Sequence, residues 1–134
     1  MKDTCEVIVK TDFEALHFWE EAESFLKFPH YHRFFVELRI STVPGDMNRS
    51  LEFFAAKAML GCAIRNMLLR HALSPSILPK QLRCDTLGYE VVKLSTEKMS
   101  EEILNYINKD HQEISVSVKV MEDDYNGSET HRSK

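Results

Sequence analysis

Three stretches of this sequence alternate apolar and polar residues with a period of two, and two stretches of helical period lie between the second and the third. Successive side chains of a strand point to opposite faces, so such alternation marks a strand with one buried face. From Cys5 to His17 the odd positions Val7, Val9, Phe13, Ala15 and His17 oppose Glu6, Lys10, Asp12 and Glu14. From His30 to Ile40 the even positions His30, His32, Phe34, Val36, Leu38 and Ile40 share one face, with Glu37 and Arg39 on the other. In the third stretch Ile114, Val116, Val118, Val120 and Glu122 alternate with Ser115, Ser117, Lys119 and Met121. A slip of one residue would turn each apolar set to solvent, so the pattern fixes which positions look inward.

Between the second and third strands, residues from Ser50 to about Arg70 place Phe53, Lys57, Leu60, Ile64 and Met67 at helical spacing without an internal proline, which predicts a helix of about five turns. His71 closes it. A second helix follows Ser95, a suitable N-cap, with Glu97 at the positive end of the dipole and an apolar stripe of Met99, Ile103, Leu104 and Ile107. Residues 72–94, with Pro75, Pro79 and Cys84-Asp85, are expected to be mostly loop, apart from a short apolar run from Tyr89 to Val92. Before the third strand's end at DDYNG, a turn sequence, the order is therefore ββααβ, with room for a short last strand. The expectation is an α+β fold, an antiparallel sheet with two helices on one face, as a single domain over residues 1–125. Residues 126–134 are expected to form a polar, flexible tail.

The chain of 134 residues has 43% hydrophobic and 28% charged residues, a globular balance, and no apolar run long enough to span a bilayer. Neither a membrane nor a nucleic acid is an expected partner, since the formal net charge of -4 lacks the basic excess that phosphate backbones attract. Cys5, Cys62 and Cys84 are odd in number, widely spaced and without a CxxC, which fits reduced thiols; Cys62, within the first helix, is expected to be a small buried hydrophobe. Asp3 and Glu6 interrupt the segment where a secretory signal would need an apolar core, so the expected location is cytoplasmic.

The three inward faces end in His17, in the His30 and His32 pair, and in Glu122 rather than in aliphatic residues. Neutral imidazole is the commonest zinc ligand, and three with one open position leave room for water or substrate. An HxH pair on a strand puts both rings on one face, about 6.6 Å apart along the backbone. By itself HxH matches many proteins, and a single histidine on an apolar face is commonly a hydrogen-bonded core residue; His17 on the neighbouring strand strengthens the ligand reading.

These residues resemble the 6-pyruvoyl-tetrahydropterin synthase and 6-carboxy-tetrahydropterin synthase family. The family's first strand ends in FxAxH, as Phe13-Glu14-Ala15-Leu16-His17 does here, and its HGHNY motif is similar to His30-Tyr31-His32-Arg33-Phe34. Its DFxxLK at a helix start is similar to Glu52-Phe53-Phe54-Ala55-Ala56-Lys57, and its PTSE or PTAE to Leu94-Ser95-Thr96-Glu97. A late-strand glutamate with glycine five residues on is matched by Glu122 and Gly127. The resemblance spans nearly the whole chain in order. It implies a tunnelling fold assembled as a homo-oligomeric ring, with a hexamer as one form. It also implies zinc held by His17, His30 and His32, and a pterin or purine-like ligand anchored by Glu122 with Thr96 and Glu97 in its pocket. Without the resemblance, Glu122 reads equally as the solvated start of an acidic turn, and Thr96 and Glu97 as a helix cap and a dipole partner.

One departure concerns proton transfer. The family's cysteine just before HxH is absent from Ser24-Phe25-Leu26-Lys27-Phe28-Pro29, and Glu23 is set farther back than the glutamate of one subgroup. Its aspartate-histidine dyad is matched only by Arg70-His71, so His71 is the catalytic candidate, with a helix C-terminal dipole partner as its other reading. The implied activity is that of a zinc-dependent lyase or synthase acting on a dihydroneopterin triphosphate-like substrate. A non-catalytic pterin-, purine- or nucleotide-binding homologue, or a scaffold with packed histidines, are the alternatives.

Overall fold

Strand β1 (Cys5–His17) pairs antiparallel with β2 (His30–Thr42) over their full lengths, from Cys5 opposite Thr42 to His17 opposite His30. The computed structural model describes residues 5–17, 30–42, 53–71, 90–109 and 115–133, and for residues 5, 17, 30, 31, 42, 90 and 91 it describes the backbone only. Beyond β2 come α1 (Phe53–His71), β3 (Glu90–Val92), α2 (Thr96–Asn108), β4 (Ser115–Met121) and β5 (Gly127–Arg132). The sheet order is β3-β1-β2-β4-β5, with every pairing antiparallel except β3 against β1.

Alternation along the strands translates directly into burial. Val7, Val9 and Ala15 of β1, Phe34, Val36, Leu38 and Ile40 of β2, and Val116, Val118 and Val120 of β4 form one buried face. Both helices cover that face. Ala56, Leu60, Ala63, Ile64 and Met67 of α1 and Met99, Ile103, Leu104 and Ile107 of α2 belong to the same core cluster. The fold is thus α+β, with two helices on one face of a largely antiparallel sheet, as the pattern predicts.

Helix α2 begins as expected, the Ser95 hydroxyl accepting the Lys98 backbone N–H at 3.2 Å. In α1 two expectations are corrected. Phe53 is 65% exposed because the buried stripe is set by the small residues Ala56 and Ala63 around Leu60, and Cys62, on the opposite arc, is exposed.

β3 departs from the expected loop, and β5 takes the place left for a short last strand within the segment otherwise expected as a tail. Within 72–94, Glu90–Val92 pairs parallel to Ala15–His17 as β3, with Val92 buried; three residues are too few to show a period. In the polar 126–134 segment, Gly127–Arg132 pairs with Met121 back to Val116 as β5. This strand has no apolar face to read. Its inward side is held instead by hydroxyl pairs, Ser128 with Thr96 at 2.8 Å and Thr130 with Ser100 at 2.7 Å, and by Arg132 donating to Asn105 at 2.9 Å. Ile114, the VPGDMN turn, Glu23 and Cys84 lie outside the described residues.

Candidate metal and ligand site

Register, not proximity in sequence, assembles the histidine positions. His17 is the last residue of β1 and faces His30, the first of β2, while His32 faces Ala15. Directly opposed residues of an antiparallel pair have Cβ atoms about 5 Å apart, and positions two apart on a strand are separated by about 7 Å. Parity puts positions 17, 30 and 32 on the face of Ala15 and Phe34, the helix-covered face. A three-imidazole zinc site is compatible with that backbone arrangement, in which the three positions share one face at one end of two paired strands. Among the described side chains no group of three possible metal ligands occurs, and those of His17 and His30 are outside that set.

His32 is half-buried, its ring 5.8 Å from that of Phe34, which stacks on Phe13 at 5.1 Å. The aromatic pair therefore continues the core up to the histidine end.

Other strand ends meet there. β4 runs antiparallel to β2 with Met121 opposite Phe35, so Glu122, next along and of the same parity as Val120, belongs to the inward face just beyond Phe34. It is half-buried. β3 ends with Val92 opposite His17, and α2 starts four residues later, which brings Thr96 to the same end. The Thr96 hydroxyl is engaged by Ser128, which faces Val120, while Glu97 is exposed in the helix's first turn. Ser128 was not legible as a site neighbour, because β5 itself carries no apolar signal.

The hairpin that carries Glu122 is tied by Asp123. Its Oδ1 accepts the backbone N–H groups of Tyr125 and Asn126, both at 2.7 Å, and the Asn126 side-chain amide adds a bond to Oδ2 at 3.1 Å. The Glu122 N–H donates to the Asn126 carbonyl at 2.9 Å, closing the loop. These donors, the Tyr125 N–H foremost, hold the Asp123 carboxyl below its ordinary value, and the nearby His32 acts in the same direction. In sequence this stretch is an acidic turn, and its D-x-x-N spacing is the signal of a side chain capping its own loop.

His71 ends α1 and meets α2, its Nε2 3.3 Å from Oε1 of Glu102. A cavity of about 290 Å³ between Lys10, Phe35, Glu37, Lys119, Met121 and Asp123 opens on the other face of the sheet. There Glu37 is held below the ordinary carboxylate range, first by its hydrogen bond from Arg39, then by the charges of Arg39, Lys119 and Lys10.

Neither a family model nor a curated protein sequence matches the chain. Solved structures do. The 6-pyruvoyl tetrahydropterin synthase of Plasmodium vivax superposes with a TM-score of 0.68 at 17% identity, over 98% of this chain and 99% of that one. The Plasmodium falciparum 6-pyruvoyl tetrahydropterin synthase gives 0.62 at 16% identity, over 98% and 99%. An uncharacterized Wolinella succinogenes protein gives 0.67 at 12% identity, over 97% and 99%. The chain shares the whole fold of these proteins, end to end.

Asp123 generates a pH-dependent expectation. Because its folded-state value is lowered, its stabilising effect is complete above the unfolded value near 3.9 and is lost as pH falls through the lower folded value. Thermal denaturation of native protein and of Asp123→Ala should therefore differ at about pH 7 and converge towards about pH 3, the unfolded value lying between. A difference that stays constant over that range would show that the carboxylate does not tie the hairpin.

Proposed function

We propose that this chain binds a reduced pterin or a related purine-like heterocycle at the histidine end of its sheet, in a zinc site made by His17, His30 and His32. The observation that carries the reading is the β1–β2 register, which opposes His17 to His30 and sets His32 on the same face. Support comes from Glu122, of inward parity at the same end, and from the end-to-end fold likeness to two pterin synthases.

In this reading Glu122 accepts paired hydrogen bonds from the amide and amino edge of the ring, a bidentate geometry that a carboxylate matches. Thr96 and Glu97, at the start of α2, border the pocket, with Ser128 fixing the Thr96 hydroxyl. When bound, zinc supplies a Lewis acid for a carbonyl or hydroxyl on the substrate's side chain. His71 is the residue assigned to proton transfer, in a lyase or synthase reaction on a dihydroneopterin triphosphate-like substrate. A second reading, a binding protein without turnover, is favoured by one feature: residues 24–29 before the HxH pair contain no thiol.

Assembly belongs to the same proposal. Among the described residues, β3 covers only Ala15–His17 of β1, so Cys5–Glu14 have β2 alone as a neighbour, and β5 forms the other edge. Joining these edges between copies would close a ring and remove both. Light scattering at micromolar concentration is expected to show an oligomer, and a monomer would count against ring closure.

The ligand reading is tested by following thermal shift and product formation with a panel of reduced pterins and guanine nucleotides. A shift with turnover supports the enzyme, and a shift alone the binding protein. Glu122→Gln is expected to keep the fold and any bound zinc while losing about 1.5–3 kcal/mol of ligand binding. Unchanged affinity in that variant would remove Glu122 from the site.

A further inference from the structure

Where α1 ends, its last two residues converge on one carboxylate of α2. Arg70 Nη1 lies 3.1 Å from Glu102 Oε2, and His71 Nε2 lies 3.3 Å from Oε1 of the same group. The side chains of His71 and Glu102 are 29% and 18% exposed, so the junction is largely shielded. His71 Nε2 is itself buried and makes no aligned hydrogen bond among the described residues.

Such a nitrogen is costly unless it is satisfied, and the acceptor within reach is Oε1. A lone pair on Nε2 would face the carboxylate's own lone pairs. A proton there can make a charge-assisted bond to that oxygen once the ring turns towards it. Arg70, on the second oxygen, fixes the carboxylate and offsets its charge. Hydrogen bonds that orient a catalytic histidine are often loose until ligand is bound.

We propose that Glu102 is a positioning residue for His71, holding the ring in the tautomer with its proton on Nε2 and leaving Nδ1 to take up or release a proton. The role rests on the proposed function, in which His71 transfers protons. The structural part, carboxylate behind imidazole, does not. A carboxylate placed behind one ring nitrogen is the common way in which a protein selects the reactive nitrogen of the other side. Sequence alone does not reveal the partner, because Glu102 sits 31 residues beyond His71 on another helix.

The deciding experiment is nitrogen-15 NMR of histidine-labelled full chain at about pH 8.5, above the ordinary imidazole range near 6.5, with His71→Gln assigning the ring signals. Native protein is expected to show His71 protonated on Nε2 and bare at Nδ1. Glu102→Leu should give a mixture of both tautomers, and Glu102→Asp should return the native one. If Glu102 merely clamps the helices, Glu102→Leu lowers the melting temperature while the tautomer stays native, and the proposal is overturned. A native protein with His71 protonated mainly on Nδ1 overturns it without any variant, so a Glu102→Leu chain that fails to fold does not block the test. On any pterin that the native protein turns over, Glu102→Leu should lower kcat at least tenfold with little change in KM. A native protein without response to pterins removes the proposed function, and the tautomer still decides the role of Glu102.

Discussion

The candidate site depends on one constraint, the register of β1 against β2. Thirteen consecutive pairs run from Cys5 opposite Thr42 to His17 opposite His30, and a slip by one residue would send His30 and His32 to the other face. Register is held by the core rather than by the site. Val7, Val9 and Ala15 on one strand and Phe34, Val36, Leu38 and Ile40 on the other all bury the same face, so a slip would expose the whole set at once. The Phe13–Phe34 stack carries that packing up to His32. Positions that would hold a metal are thus fixed by residues that never touch it.

Around this frame the other strand and helix ends converge for reasons of connection. The antiparallel β4 must finish where β2 starts, and the parallel β3 must finish where β1 does, so Glu122 and the start of α2 arrive at the histidine end together. Asp123 then stiffens the turn behind Glu122, using its carboxylate for backbone amides. The His71 junction stands apart from this end. His71 comes from α1 and finds its carboxylate on α2, in a chain whose segment before the HxH pair lacks a thiol.

Much of this was legible in the sequence where burial imposes a period. Alternation in 5–17, 30–40 and 114–122 predicts three strands and their inward faces, and the 99, 103, 104 and 107 stripe predicts α2 with Ser95 as its cap. What escaped, or was allowed for only as a short last strand, carries no such period. β3 is three residues long, and β5 is polar on both faces and held by hydroxyls, so neither has an apolar signature. Cys62 and Phe53 were misplaced because α1 is apolar around much of its circumference, which blurs the buried arc. Contacts between distant elements, Glu102 with His71 or Ser128 with Thr96, follow from packing and have no local signal.

Metal analysis of the purified full chain, with X-ray absorption at the zinc edge, tests the central claim most directly. About one zinc per chain is expected, with nitrogen donors at about 2.0–2.1 Å, and His30→Ala or His32→Ala should each lower affinity by orders of magnitude because two remaining ligands hold an ion poorly. Stoichiometric metal retained after His17, His30 and His32 are all replaced by alanine would contradict the site.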